Sequence, residues 1–188
     1  AAFGSEEVVA LQEFDATEQN VREAVGDRHR YLHLATHGLV DERRGSMYAS
    51  LALTPVSGTD PEPDNDGFLE LHEVYALDLT SIALAVLSAC KTNVGESYAG
   101  EGVFALSRGF LAAGAQRVVA TQWQVDDRAT AVLIGHFFEV IAEAERAGEV
   151  VDYARALRDA KLRVRNDADN PRWADPYYWA AFTITGQR

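Results

Sequence analysis

Two short apolar runs constrain this chain more than any other feature. Tyr31-Leu-His-Leu-Ala35 leads into Thr36-His37-Gly38, and Leu84-Ala-Val-Leu-Ser-Ala89 leads into Cys90. Residues 30–36 and 83–89 read as buried strands, because they are short, apolar and bounded by polar segments. Each run ends in one reactive side chain. In an open parallel sheet, ligands bind beyond the carboxyl ends of the strands. A histidine and a cysteine at two such ends can therefore share one crevice. Cys90 is the only cysteine in the chain, and it follows His37 by 53 positions.

The remaining pattern alternates strands with helices. Asp15 or Thr17 can cap a helix running to about Val25, with Gly26 as its stop. Residues 49–53 form a further candidate strand. Residues 55–67 hold three prolines, two glycines and four acids, and read as a loop. Val103, Leu106 and Phe110 recur at helical spacing from Gly102 to Ala113, and Gly114 ends that helix. Residues 117–121 read as a strand. Asp126 or Asp127 then caps a helix whose apolar stripe is Leu133, Phe137, Val140 and Ala144. Beyond Gly148 a second helix carries Tyr153, Leu157, Ala160 and Val164 on one face. Residues 179–185 read as the last strand. Such alternation predicts an α/β layered fold with a mainly parallel sheet.

Composition narrows the function classes. The 188 residues are 47% hydrophobic and 24% charged, ordinary for one globular domain with a real core. No apolar run reaches the roughly 20 residues of a membrane helix. The start has no basic segment followed by an apolar stretch, so no signal peptide is expected. A single cysteine allows no internal disulfide and fits a reducing compartment, so a cytoplasmic location is expected. The net charge of −12 argues against direct nucleic-acid binding. No phosphate-binding loop and no zinc-type spacing occurs, so neither cofactor nor metal is expected.

One acidic stretch imitates a calcium loop. Glu62, Asp64, Asp66, Glu70 and Glu73 fall at positions 1, 3, 5, 9 and 12, with Gly67 at position 6. The upstream segment contains Pro55, Gly58 and Pro61 and cannot be the required helix. The stretch reads as a solvated loop entering a short helix.

Ala35-Thr-His37-Gly38 and Leu87-Ser-Ala-Cys90 resemble the histidine and cysteine motifs of the CHAT family. These are caspase-like domains usually attached to tetratricopeptide repeats. A histidine roughly 50 residues before the nucleophile is also the caspase arrangement. The resemblance extends to residues 66–77, Gly100-Glu-Gly102, residues 110–115, Trp123-Gln-Val-Asp126-Asp127 and residues 178–186. It implies a three-layer α/β/α sandwich of caspase type, with the family's opening strand and helix lying before residue 1. One CHAT domain over 1–188, lacking its N-terminal part, is the expected organisation. A tetratricopeptide-repeat or other regulatory module is the expected partner.

The implied activity is cysteine endopeptidase cleavage of a protein substrate. Cysteine attack needs a thiolate, and an adjacent imidazolium lowers the thiol pKa from about 8.5. His37 and Cys90 are the catalytic candidates. Gly38, lacking a Cβ, lets a substrate carbonyl approach the backbone. The family relationship assigns the Gly38 and Cys90 N–H groups to an oxyanion hole. His33 reads as packing or as support behind the site, and Thr36 as structural. No third catalytic residue stands out. Trp123, Asp126 and Asp127 are candidates for the substrate pocket, with helix capping as the alternative for the two acids. Separase, a distant relative, carries a similar string in which the acid recognises arginine. Loops at 38–48 and 91–100 are the expected movable parts, which predicts a gated site. The alternative function is a non-catalytic regulatory or interaction domain on the same fold; a flavodoxin-like binding module is a remoter one.

Overall fold

The structure is a computed structural model, and it describes residue 3 and residues 8–25, 29–40, 49–56, 65–88, 90–91 and 99–187. The chain separates into two compact units. One comprises Ala10–Gln124 and Thr185–Arg188; the other comprises Ala1–Val9 and Val125–Ile184.

The larger unit is built on strands that run through two sheets. Strands β1 (Tyr31–Leu34), β5 (Leu84–Leu87) and β7 (Arg117–Thr121) are parallel neighbours, in the order β1-β5-β7. Strand β8 is Phe182–Gly186, and past its end Gln187 N donates to the Gln116 carbonyl at 2.9 Å within the larger unit. The second sheet has the order β4-β3-β2-β6, from β2 (His37–Val40), β3 (Ala49–Ala52), β4 (Phe68–Glu70) and β6 (Cys90–Lys91). β3 runs antiparallel to β2 and β4, and β6 runs parallel to β2. The fold is therefore mixed α/β with a mainly parallel central sheet, of caspase-like class.

Register explains why the central strands are apolar without alternation. Leu34, Leu87 and Ala120 form one row across the sheet, and they join a core with Ala85 and Val118. That core also takes Val21 and Val25 at the α1 end and Leu106, Phe110 and Ala113 at the α3 end. Residues of the opposite face, Leu84, Val86 and Val119, are equally buried. A strand buried on both faces has no polar side to show.

Helix α1 (Glu18–Ala24) starts where Thr17 Oγ1 accepts from Asn20 N at 3.2 Å. Thr17 is thus the cap that the sequence left open against Asp15. Helix α2 (Leu71–Val74) follows β4 directly, and α3 (Ala99–Ala112) packs against α2 and β7. Gly114 ends α3 at φ +115°, where a Cβ would approach Thr80 N to 2.8 Å. Most of the proline-rich loop, residues 57–64, lies outside the described residues.

The smaller unit is a helical pair. Helix α4 (Asp127–Arg146) contacts α5 (Tyr153–Arg165). Gly148, at φ +70°, ends α4 in a Schellman motif: Glu149 N donates to Ala144 O and Gly148 N to Glu145 O. The α5 stripe Tyr153, Leu157, Ala160 and Val164 is buried as expected. In α4 the stripe needs correction. Leu133 and Phe137 are buried, but Ile134, Ile141 and Ala142 complete the row; Val140 and Ala144 are half-exposed. The last strand begins at Phe182 and not at Trp179, because Pro176–Tyr178 form a 3-10 turn first.

Candidate active site

Strand β1 breaks at Ala35-Thr36 and resumes as β2 with His37. The neighbouring strand breaks after Leu87 and resumes as β6 with Cys90. Below the break Tyr31 pairs with Leu84 and Leu34 with Leu87. Above it His37 pairs with Cys90 and Gly38 with Lys91. The offset is 53 positions on both sides, so the register passes through the break unchanged. The spacing between the two reactive residues is thus the register offset of the strands that carry them. Register partners on adjacent strands stand about 4.8 Å apart across the ladder. His37 and Cys90 are therefore nearest cross-strand neighbours in backbone position.

The break has its own bonds. Thr36 Oγ1 donates to the Ala52 carbonyl, which ties the kink to β3 and makes Thr36 structural. Ser88 N donates to the Leu34 carbonyl at 3.0 Å, carrying the ladder across the gap. The Ser88 hydroxyl is also 3.0 Å from His33 Nε2. Of the two expectations for His33, packing or support behind the site, the Ser88 contact favours support. His33 is exposed as a residue, although nearby protein desolvates its imidazole and holds its pKa below the ordinary value. His37 is exposed and Gly38 half-buried.

The pocket candidates fall in both units. Trp123 follows the carboxyl end of β7 and is 40% exposed. Asp126 is the N-cap of α4, its Oδ1 accepting from Ala129 N at 2.9 Å. Asp127 is the first helical residue and is exposed. Of the expected movable loops, 41–48 and 92–98 lie outside the described residues; residues 38–40 belong to β2, Lys91 to β6, and 99–100 to α3.

A buried ionic cluster is the feature that sequence reasoning missed. Glu18 is fully buried, and its Oε1 accepts from Gly67 N at 2.7 Å. Arg22 Nη2 lies 3.3 Å from Glu18 Oε2 and 2.5 Å from Glu73 Oε1. Glu73 Oε2 accepts from Glu70 N at 2.7 Å. Burial first, and the adjacent Glu73 carboxylate after it, push the Glu18 carboxyl up to about 7; the Gly67 N–H and Arg22 oppose the rise. Of the described acids of the calcium-like stretch, Glu73 belongs to this cluster and Asp66 Oδ1 accepts from Phe68 N in a local turn. Among the described residues no group of three or more His, Cys, Asp or Glu is arranged to hold a metal ion. None of the described helices is long and apolar enough to cross a membrane.

The chain is 32% identical over 111 residues to mouse (Mus musculus) Tetratricopeptide repeat protein 28. That match covers 58% of this chain but 4% of the relative, so the chain corresponds to a small part of a much longer protein. The family model for the CHAT domain matches residues 1–187. With register-paired His37 and Cys90 at the break of a parallel sheet, the chain belongs to the CHAT domain family, a caspase-like, protease-related family.

Proposed function

We propose that this chain is a cysteine endopeptidase that cleaves a protein substrate with a Cys90–His37 dyad. The observation that carries the reading is the pairing of His37 with Cys90 in register on adjacent parallel strands. His37 takes the proton from Cys90, or the two rest as thiolate and imidazolium. The thiolate attacks the peptide carbonyl carbon, and the Gly38 and Cys90 N–H groups hold the oxyanion. His37 then protonates the leaving amine, and water releases the acyl-enzyme. Donors of the oxyanion type contribute about 10²–10³ in rate.

The tetratricopeptide-repeat relative supports control by an attached or associated module. Trp123 supplies an apolar wall to the substrate pocket. Asp127, whose neighbour Asp126 makes the cap, is the acid that the family resemblance offers for recognition of a basic substrate residue. The test is a cleavage-site screen of a proteome-derived peptide library, wild type beside Cys90→Ala. Cuts made by wild type and lost in the variant support the reading; substantial cleavage by folded Cys90→Ala refutes it.

A further inference from the structure

Regular pairing stops at Leu34 with Leu87 and resumes at His37 with Cys90. At that gap Thr36 turns away to bond Ala52 on β3. Among the described residues, Ser88 joins the two central strands there. Its backbone N–H donates to Leu34 O, and its hydroxyl meets His33 Nε2, both at 3.0 Å. Two attachments to one strand, one through backbone and one through side chain, fix the residue against rotation as well as translation. Ser88 stands two positions before Cys90, and His33 four before His37.

We propose that His33 and Ser88 form a positioning clamp that sets the Cys90 backbone opposite His37. His33 is a positioning residue here and not a catalytic one: it acts through Ser88. The proposal rests on the reading of Cys90 and His37 as a dyad. Its chemistry is consistent with the setting of the His33 ring. Desolvation lowers the pKa of that imidazole, which favours the neutral ring as the partner of the serine hydroxyl. A displacement of the order of 1 Å at a reacting centre is enough to lose about 10² in rate.

The test uses the chain's single cysteine. The rate of Cys90 alkylation by iodoacetamide, measured from pH 5 to pH 9.5, reports the fraction of thiolate. Wild type is compared with His33→Ala, His33→Gln, Ser88→Val and Ser88→Thr, with His37→Ala as the reference for a lost dyad. Melting temperatures are measured alongside. We expect the alkylation midpoint to rise in His33→Ala and Ser88→Val toward that of His37→Ala, slowing the reaction at pH 6.5 about tenfold for each unit of rise. Ser88→Thr, which keeps the hydroxyl, should restore the wild-type midpoint, and His33→Gln should recover part of it. A general loss of stability would not follow this division between Thr and the near-isosteric Val. If wild type has a depressed midpoint and Ser88→Val and His33→Ala leave it unmoved, the clamp is overturned and the dyad stands. Equal effects of Val and Thr also overturn it. If the wild-type midpoint lies at about 8.5 and His37→Ala does not change it, the dyad reading itself fails.

Discussion

Replacing Glu18 by glutamine removes one ionisable group from the interior while keeping its shape. The Glu18 carboxyl is fully buried, accepts from Gly67 N, and shares Arg22 with Glu73. With Glu18 protonated, Arg22 and Glu73 neutralise each other; with Glu18 ionised, the cluster holds an uncompensated negative charge away from water. The folded-state value is therefore raised, from 4.5 to about 7. A raised acid binds its proton more tightly in the folded state than in the unfolded chain. Its contribution is fully present below about pH 4.5 and is lost as pH rises through about 7. At roughly 1.4 kcal/mol per unit, the loss between pH 5 and pH 8 is about 2–3 kcal/mol. Glutamine is neutral throughout, accepts from Gly67 N and leaves the Arg22–Glu73 pair in place. The stability difference between Glu18→Gln and wild type should therefore shift in favour of the variant by about 2–3 kcal/mol from pH 5 to pH 8. For a chain of this length that corresponds to about 5–10 °C in melting temperature. Urea and thermal unfolding followed by circular dichroism at the two pH values give the comparison, and subtraction removes the other titrating groups. The same difference at both pH values would refute the account of a buried, protonated Glu18.

Three further outcomes are expected. Cys90→Ala and His37→Ala should each abolish peptide turnover without changing the fold, and the double variant should be little worse, since the two act as one unit; this is read in the peptide-library assay with circular dichroism as control. Asp126→Ala should lower stability by about 1 kcal/mol through loss of the α4 cap, whereas Asp127→Asn should leave the melting temperature nearly unchanged and reduce cleavage after Arg or Lys, and an unchanged cleavage pattern would remove Asp127 from the pocket. Gly114→Ala should lower the melting temperature measurably, because its φ of +115° and the 2.8 Å approach to Thr80 N leave no place for a Cβ; a neutral result by calorimetry would contradict the backbone conformation of that turn.

Much of this protein was determined locally. Residues 117–121 read as a strand and are β7 to the residue, because a central strand buried on both faces has an unbroken apolar signature. The α5 stripe was legible because thirteen residues keep one helical period on one face. In the twenty-residue α4 the buried band is wider than a single row, so the choice of Val140 over Ile141 could not be made from spacing. Trp179-Ala-Ala resembles a strand in composition, and only the turn begun by Pro176 delays β8 to Phe182. The sequence by itself named His37 and Cys90 and their separation. That this separation is the register offset of two parallel strands is a tertiary fact, since register depends on how separate segments dock. Tertiary structure alone also decided the roles of His33, Ser88 and Glu18. Glu18 reads as an ordinary acid in the first turn of a helix; it becomes a buried group titrating near neutrality only when Gly67 and Glu73, about fifty positions away, close over it. Local pattern encodes which face of an element is apolar, but the solvation of a single carboxyl or imidazole is set by whatever distant chain packs beside it.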